Sequence, residues 1–127
     1  MKILVVDDNP EFLSMMGDLL RSQDYEVFLA EDGKQAREFL EEEQVDLIIS
    51  DILMPTLDGT RFHSYVREFT DGHKRVPFIF ISGYTDGRTE GVITDPELDF
   101  FIMKPASFED ILNLVRRFEK DEQPKSI

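Results

Sequence analysis

The chain has 127 residues, 41% of them hydrophobic, which is the size and apolar content of one domain with a single sizeable core. It has no cysteine, which excludes disulfides, thiolate metal sites and a cysteine nucleophile, and its net charge of −13 argues against direct nucleic-acid binding through a basic patch. No apolar run approaches the roughly 20 residues that span a bilayer, and Met1 leads into an apolar run without a basic region and signal core, so a soluble, cytoplasmic protein is expected.

The first run, Ile3-Leu4-Val5-Val6, is too short for a buried helix and rich in β-branched residues, so it reads as a strand ending at Asp7-Asp8. Asn9 then supplies a helix N-cap with Pro10 in the first turn. A helix is expected from about Pro10 to Ser22, with Phe12, Leu13, Met16, Leu19 and Leu20 on one face. Glu26 to Ala30 is the second strand, Glu31-Asp32-Gly33 a turn, and Ala36, Phe39 and Leu40 mark a second helix. Val45 to Ser50, carrying Leu47-Ile48-Ile49, is the third strand. Met54 to Gly59 reads as a loop, and Phe62, Tyr65, Val66 and Phe69 space out a third helix. Pro77 to Ile81 is the fourth strand.

A fourth helix belongs between Gly83 and Pro96, where Gly83, Gly87, Gly91, Pro96 and several threonines predict a short or mobile one. Phe100-Phe101-Ile102-Met103 is the fifth strand. Ser107 caps a last helix, with Asp110 three residues on, whose buried stripe is Phe108, Ile111, Leu112, Val115 and Phe118. The domain is therefore drawn at residues 1–120, with residues 121–127 as a polar, disordered tail.

Strand and helix alternate five times, the pattern of a parallel sheet covered by helices on both faces. The expected fold is α/β, a flavodoxin-like doubly wound sheet of five strands in the order 2-1-3-4-5, in three αβα layers. Strands one and three are then neighbours at the switch point, and ligands bind beyond their carboxyl ends. Five polar residues, Asp7, Asp8, Asp51, Ser82 and Lys104, each close one of the apolar runs, so all five fall on that one edge.

Two carboxylates 4 Å apart repel by about 4 kcal/mol at an effective dielectric near 20, and a third adds to the strain. A set of hard oxygen donors without histidine or thiolate suits Mg²⁺ or Mn²⁺. Such a cation makes the pocket tolerable to a phosphoryl group. Lys104 offers it a flexible positive charge and Ser82 a hydroxyl donor. A carboxylate can serve as the nucleophile and give an aspartyl phosphate. Any one of these aspartates alone is as readily a cap or turn former. His63 and His73 stand alone at no metal spacing and read as surface or satisfied structural histidines, and Glu41-Glu42-Glu43 as solvated surface.

With these residues in place the chain resembles the receiver domain of two-component response regulators. The resemblance runs from Val5-Val6-Asp7-Asp8 through Asp51-Ile52-Leu53-Met54-Pro55 and Ser82-Gly83 to Met103-Lys104-Pro105. It implies that Asp51 accepts a phosphoryl group from a phosphohistidine on a histidine kinase or phosphotransfer protein. It implies Mg²⁺ on the side chains of Asp8 and Asp51 and on the Leu53 carbonyl, with Asp7 acting largely through water. By the same resemblance Lys104 and Ser82 would contact the phosphoryl oxygens, Ser82 and Phe101 would act as the switch, and the Lys104–Pro105 peptide would be cis. Dimerisation or docking of an output partner is expected on the face formed by the fourth helix, fifth strand and last helix.

The Ser82-Gly83-Tyr84 step into the 83–96 segment and the run from Asp99 to Pro105 are similar to receivers attached to hybrid histidine kinases. Leu53 and Tyr84 occupy the positions that tune the lifetime of the phosphoryl group, and neither is acidic or an amide able to orient water, so slow self-dephosphorylation is expected. The protein is then no enzyme beyond its own phosphorylation and dephosphorylation. One alternative is an aspartate-nucleophile phosphatase of the haloacid dehalogenase type, against which the adjacent Asp7-Asp8 stands where Asp-x-Asp is needed. Another is a flavin-binding flavodoxin-like module, whose phosphate those two carboxylates would repel.

Overall fold

The computed structural model describes residues 1–51, 59–69, 72, 75–82, 97–103 and 107–122, with the backbone alone at 59, 60, 69, 82 and 120–122. Its elements in chain order are β1 (Lys2–Val6), α1 (Pro10–Arg21), β2 (Glu26–Ala30), α2 (Gly33–Glu42), β3 (Leu47–Ser50), α3 (Gly59–Phe69), β4 (Phe78–Ser82), β5 (Asp99–Met103) and a last helix, α4 (Phe108–Glu122). The five strands form one sheet in the order β2-β1-β3-β4-β5, and every ladder is parallel. This is the flavodoxin-like arrangement the alternation predicts. The helix expected between Gly83 and Pro96 lies outside the described residues.

Alternation along the central strands divides the core in two. Ile3, Val5, Leu47, Ile49, Ile79 and Ile81 pack with Leu13, Met16 and Leu20 of α1 and Ile111 and Val115 of α4. Leu4, Val6, Ile48, Phe78 and Phe80 pack with Ala36 and Leu40 of α2 and Phe62 and Val66 of α3. Burying such side chains on both faces is worth about 1.5–3 kcal/mol each, which is why β1 and β3 read as unbroken apolar runs. Gly17 brings α1 close to the sheet, since a Cβ there would sit 3.2 Å from both Leu29 methyls.

The caps behave as the sequence predicts. The Asn9 side-chain oxygen accepts from the Glu11 and Phe12 amides at 3.0 and 3.2 Å, and Ser107 Oγ accepts from the Asp110 amide at 3.1 Å. Several boundaries move for local reasons. Gly33 is the first residue of α2 rather than part of a turn, because the Asp32 carboxylate accepts from the Gln35 amide at 2.8 Å and caps the helix one residue earlier. Pro77 has no N–H for the ladder, so β4 begins at Phe78, and it extends to Ser82 through pairing with Met103. Strand β3 begins at Leu47 rather than Val45, while the Asp46 side chain accepts from the Lys2 amide at 2.7 Å. Helix α4 passes residue 120 and ends at Glu122; buried Phe118 holds its last turns to the core.

The sheet margins are fastened by side chains. On the β2 side, Tyr25 donates to the Glu119 carboxylate of α4 at 2.5 Å; burial first, then this hydrogen bond, pushes the phenol pKa up to about 12. Arg21 of α1 donates to the Val27 carbonyl of β2 at 2.8 Å. No described helix is long and apolar enough to cross a membrane.

Candidate functional site

The site grows from the carboxyl ends of β1 and β3. Val6 pairs with Ser50 in the parallel register, and the Asp51 amide donates to the Val6 carbonyl at 2.9 Å. The residues that follow these strand ends therefore lie side by side. The Asp7 amide donates to the Ala30 carbonyl at 3.1 Å, so Asp7 is held from the β2 side as well. Its Oδ1 accepts from the Asn9 amide at 2.9 Å, turning the chain into the cap of α1. Ser50 Oγ donates to the Asp51 carbonyl at 2.8 Å, which ties the end of β3 to the peptide that follows it.

Within this frame Asp7 is buried, Asp8 exposed and Asp51 half-buried, and each offers a carboxylate oxygen within 4.8 Å of the others. The donors are all hard oxygens, with no histidine or thiolate among them, which fits Mg²⁺ or Mn²⁺ and does not fit a soft metal. The graded burial also fits one ion at a surface cleft. Asp8 is the exposed member of the three, and Asp7 lies inward of it.

The other half of the predicted set is placed by its strands. Ser82 is the last residue of β4, opposite Met103, the last of β5, and Lys104 follows Met103 in the chain. Ser82 therefore belongs to the edge that carries the carboxylates, although its side chain lies outside the described residues. Lys104, Pro105, Leu53 and Tyr84 lie outside them too, and so do the cis peptide, the carbonyl ligand and the lifetime positions. Phe101 is on β5, half-buried, and packs against the apolar cluster of α2 and α3.

One constellation escapes a reading by eye. Asp99, at the start of β5, has a fully buried side chain whose Oδ1 lies 2.9 Å from His63 Nε2 and accepts from Arg67 at 2.6 Å. An ionised carboxylate only accepts, so Nε2 is the protonated ring nitrogen. Of the two expectations for His63, a surface or a satisfied structural histidine, the buried and bonded ring is the second. The available signal was the four-residue spacing of His63 and Arg67, which puts both on one face of α3.

Comparison with known proteins agrees with this geometry. A family model described as the response regulator receiver domain matches residues 3–116. The CAI-1 autoinducer sensor kinase/phosphatase CqsS of Vibrio cholerae is 33% identical over 90% of this chain, and the chain spans 17% of its length. The chain likewise spans 13% of the signal transduction histidine-protein kinase BarA of Escherichia coli, at 29% identity over 94% of this chain. Among solved structures, the chemotaxis protein CheY4 of Vibrio cholerae superposes with a TM-score of 0.83 at 28% identity, covering 92% of this chain and 97% of that one. The receiver domain of sensor histidine kinase PA1611 from Pseudomonas aeruginosa does so with a TM-score of 0.81 at 30% identity, covering 92% and 95%, and holds a magnesium ion in its active-site cleft.

Proposed function

The chain belongs to the response regulator receiver domain family of two-component signalling, and from that premise we propose that Asp51 is its phosphoryl acceptor. The observation that carries the reading is the cluster of Asp7, Asp8 and Asp51, with carboxylate oxygens within 4.8 Å, at the ends of two adjacent strands. An Asp51 carboxylate oxygen forms the new bond to phosphorus as the P–N bond of a partner's phosphohistidine breaks. The donor is a histidine kinase or a histidine phosphotransfer protein.

Asp8 and Asp51, with the Leu53 carbonyl and with Asp7 behind them, are the residues that would hold Mg²⁺. The ion supplies positive charge to offset the transferring phosphoryl oxygens among these carboxylates. Asp7 keeps its inward position through the Asn9 amide and adds negative charge without blocking the cleft. Lys104 balances the phosphoryl charge from the β5 side, and Ser82 and Phe101 report the transfer by shifting together. The chain catalyses only its own phosphorylation and dephosphorylation, and passes the signal through the face bordered by β5 and α4, as a dimer or to an output partner.

Incubation with acetyl phosphate and Mg²⁺ followed by intact mass tests the acceptor. Wild type gains one phosphoryl adduct and Asp51→Asn gains none; an adduct that survives in the Asn variant refutes the assignment. Slow release is read from the same adduct after the donor is removed. With Leu53 and Tyr84 unable to orient water, most of it persists for minutes, and complete loss within seconds would sink that expectation.

A further inference from the structure

Strand β5 is uneven: Asp99 is buried, Phe100 to Ile102 are half-buried and Met103 is exposed. The buried end is tied twice over. Arg67 donates to Asp99 at 2.6 Å and, from its other terminal nitrogen, to the Val76 carbonyl ahead of β4 at 2.6 Å. Together with the His63–Asp99 bond, one buried point thus joins α3, the entry to β4 and the start of β5. Replacing a buried ion pair by apolar side chains is often neutral or stabilising, so stability alone is a poor reason for this one. Its hydrogen bonds are directional, and they set where Asp99 sits against α3 and the Val76 carbonyl.

The tie reaches toward the aromatic on the same strand. The His63 ring meets Phe78 edge-on at 4.8 Å between centroids and lies 5.3 Å from the Phe80 ring. Phe80 is the cross-strand partner of Phe101, and both belong with the same apolar cluster. We propose that His63, Asp99 and Arg67 form a latch that pins the first residue of β5 to α3, and that His63 is a positioning residue for Phe101, acting through Phe80. The latch biases Phe101 toward the packed arrangement seen here and leaves the Met103 end of the strand as the part that shifts. This rests on the reading of Phe101 as the switch aromatic.

The test places 4-fluorophenylalanine at position 101 and follows its ¹⁹F line with and without Mg²⁺ and beryllofluoride, a phosphoryl mimic, in wild type, His63→Leu and His63→Gln. Both variants leave the Arg67–Asp99 pair in place, so the fold is retained, and Gln keeps an amide donor for Asp99. In His63→Leu the free-state line moves toward the loaded position and beryllofluoride binds roughly fivefold tighter, while His63→Gln keeps the wild-type line and affinity. A His63→Leu protein with the wild-type line and affinity overturns the latch, as does an equal displacement in both variants, which would assign the effect to lost ring packing. The acceptor reading fails on a different result, absence of an acetyl phosphate adduct on wild type, and the free-state lines are compared without any loading of Asp51.

Discussion

Strands β1 and β5 run parallel in the same sheet and are built differently. Strand β1 lies inside the sheet between β2 and β3, and Ile3 to Val6 are buried to within 1%. Strand β5 lies at the margin with β4 as its neighbour in the sheet, and its burial fades toward Met103. The Asp7 and Asp8 carboxylates of the three-aspartate cluster thus follow a strand packed on both faces. Phe101, proposed above as the switch aromatic, sits instead on a margin strand whose exposure grows toward Met103. The difference teaches that β1 owes its place to packing on both faces, whereas β5, only half-buried beyond Asp99, adds directed polar bonds to a thinner apolar contact.

The contrast can be broken first at Asp99. Truncating it to Ala leaves His63 and Arg67 without their buried carboxylate and costs about 3–5 kcal/mol, comparable with the 2–5 kcal/mol or so of Leu4→Ala in β1. Urea unfolding of the two variants reads this directly, and a loss below about 1 kcal/mol for Asp99→Ala would mean that packing holds β5 after all.

The next effect belongs to the acidic half. Mg²⁺ at a hundred times its dissociation constant raises wild-type stability by about 2.7 kcal/mol. Asp8→Asn loses most of that gain and, freed of one like charge, is more stable than wild type in EDTA. Thermal melts in the two buffers check both signs; an unchanged magnesium response in Asp8→Asn would remove that residue from the site.

The smallest effect lies on the opposite margin, where Tyr25 ties β2 to α4. Its pKa of about 12 in the fold exceeds the ordinary value of 10.0, so the native state keeps a proton that the unfolded chain gives up. The tyrosine's contribution is therefore complete below pH 10 and is lost as pH rises through about 12. Tyr25→Phe costs about 1 kcal/mol at neutral pH and flattens the decline in stability across that alkaline window.

How much of this was legible depended on the range of the signal. The central strands announce themselves because Leu47-Ile48-Ile49 and Phe78-Ile79-Phe80-Ile81 are apolar on both faces, and a three-residue offset is enough to find the Asn9 and Ser107 caps. Strand ends were displaced where a single atom decides, as with the missing N–H of Pro77 or the early cap from Asp32. The Asp7, Asp8 and Asp51 cluster was readable because the topology rules bring successive strand ends to one edge. The His63–Asp99 pair was not, because 36 residues separate its members and no local pattern says which helix face meets which strand.

The bond from Arg21 to the Val27 carbonyl has a consequence for the molecule in company. The Glu26 amide bonds inward to Met1, so the Val27 peptide groups point away from β1, at the open border of the sheet. Such a border is a template on which a stray strand from another chain can dock. With a guanidinium over that oxygen, a newcomer would have to displace a charged donor before laying down its first hydrogen bond. Arg21→Ala should therefore lower the concentration at which the protein begins to self-associate, even where its signalling chemistry is untouched.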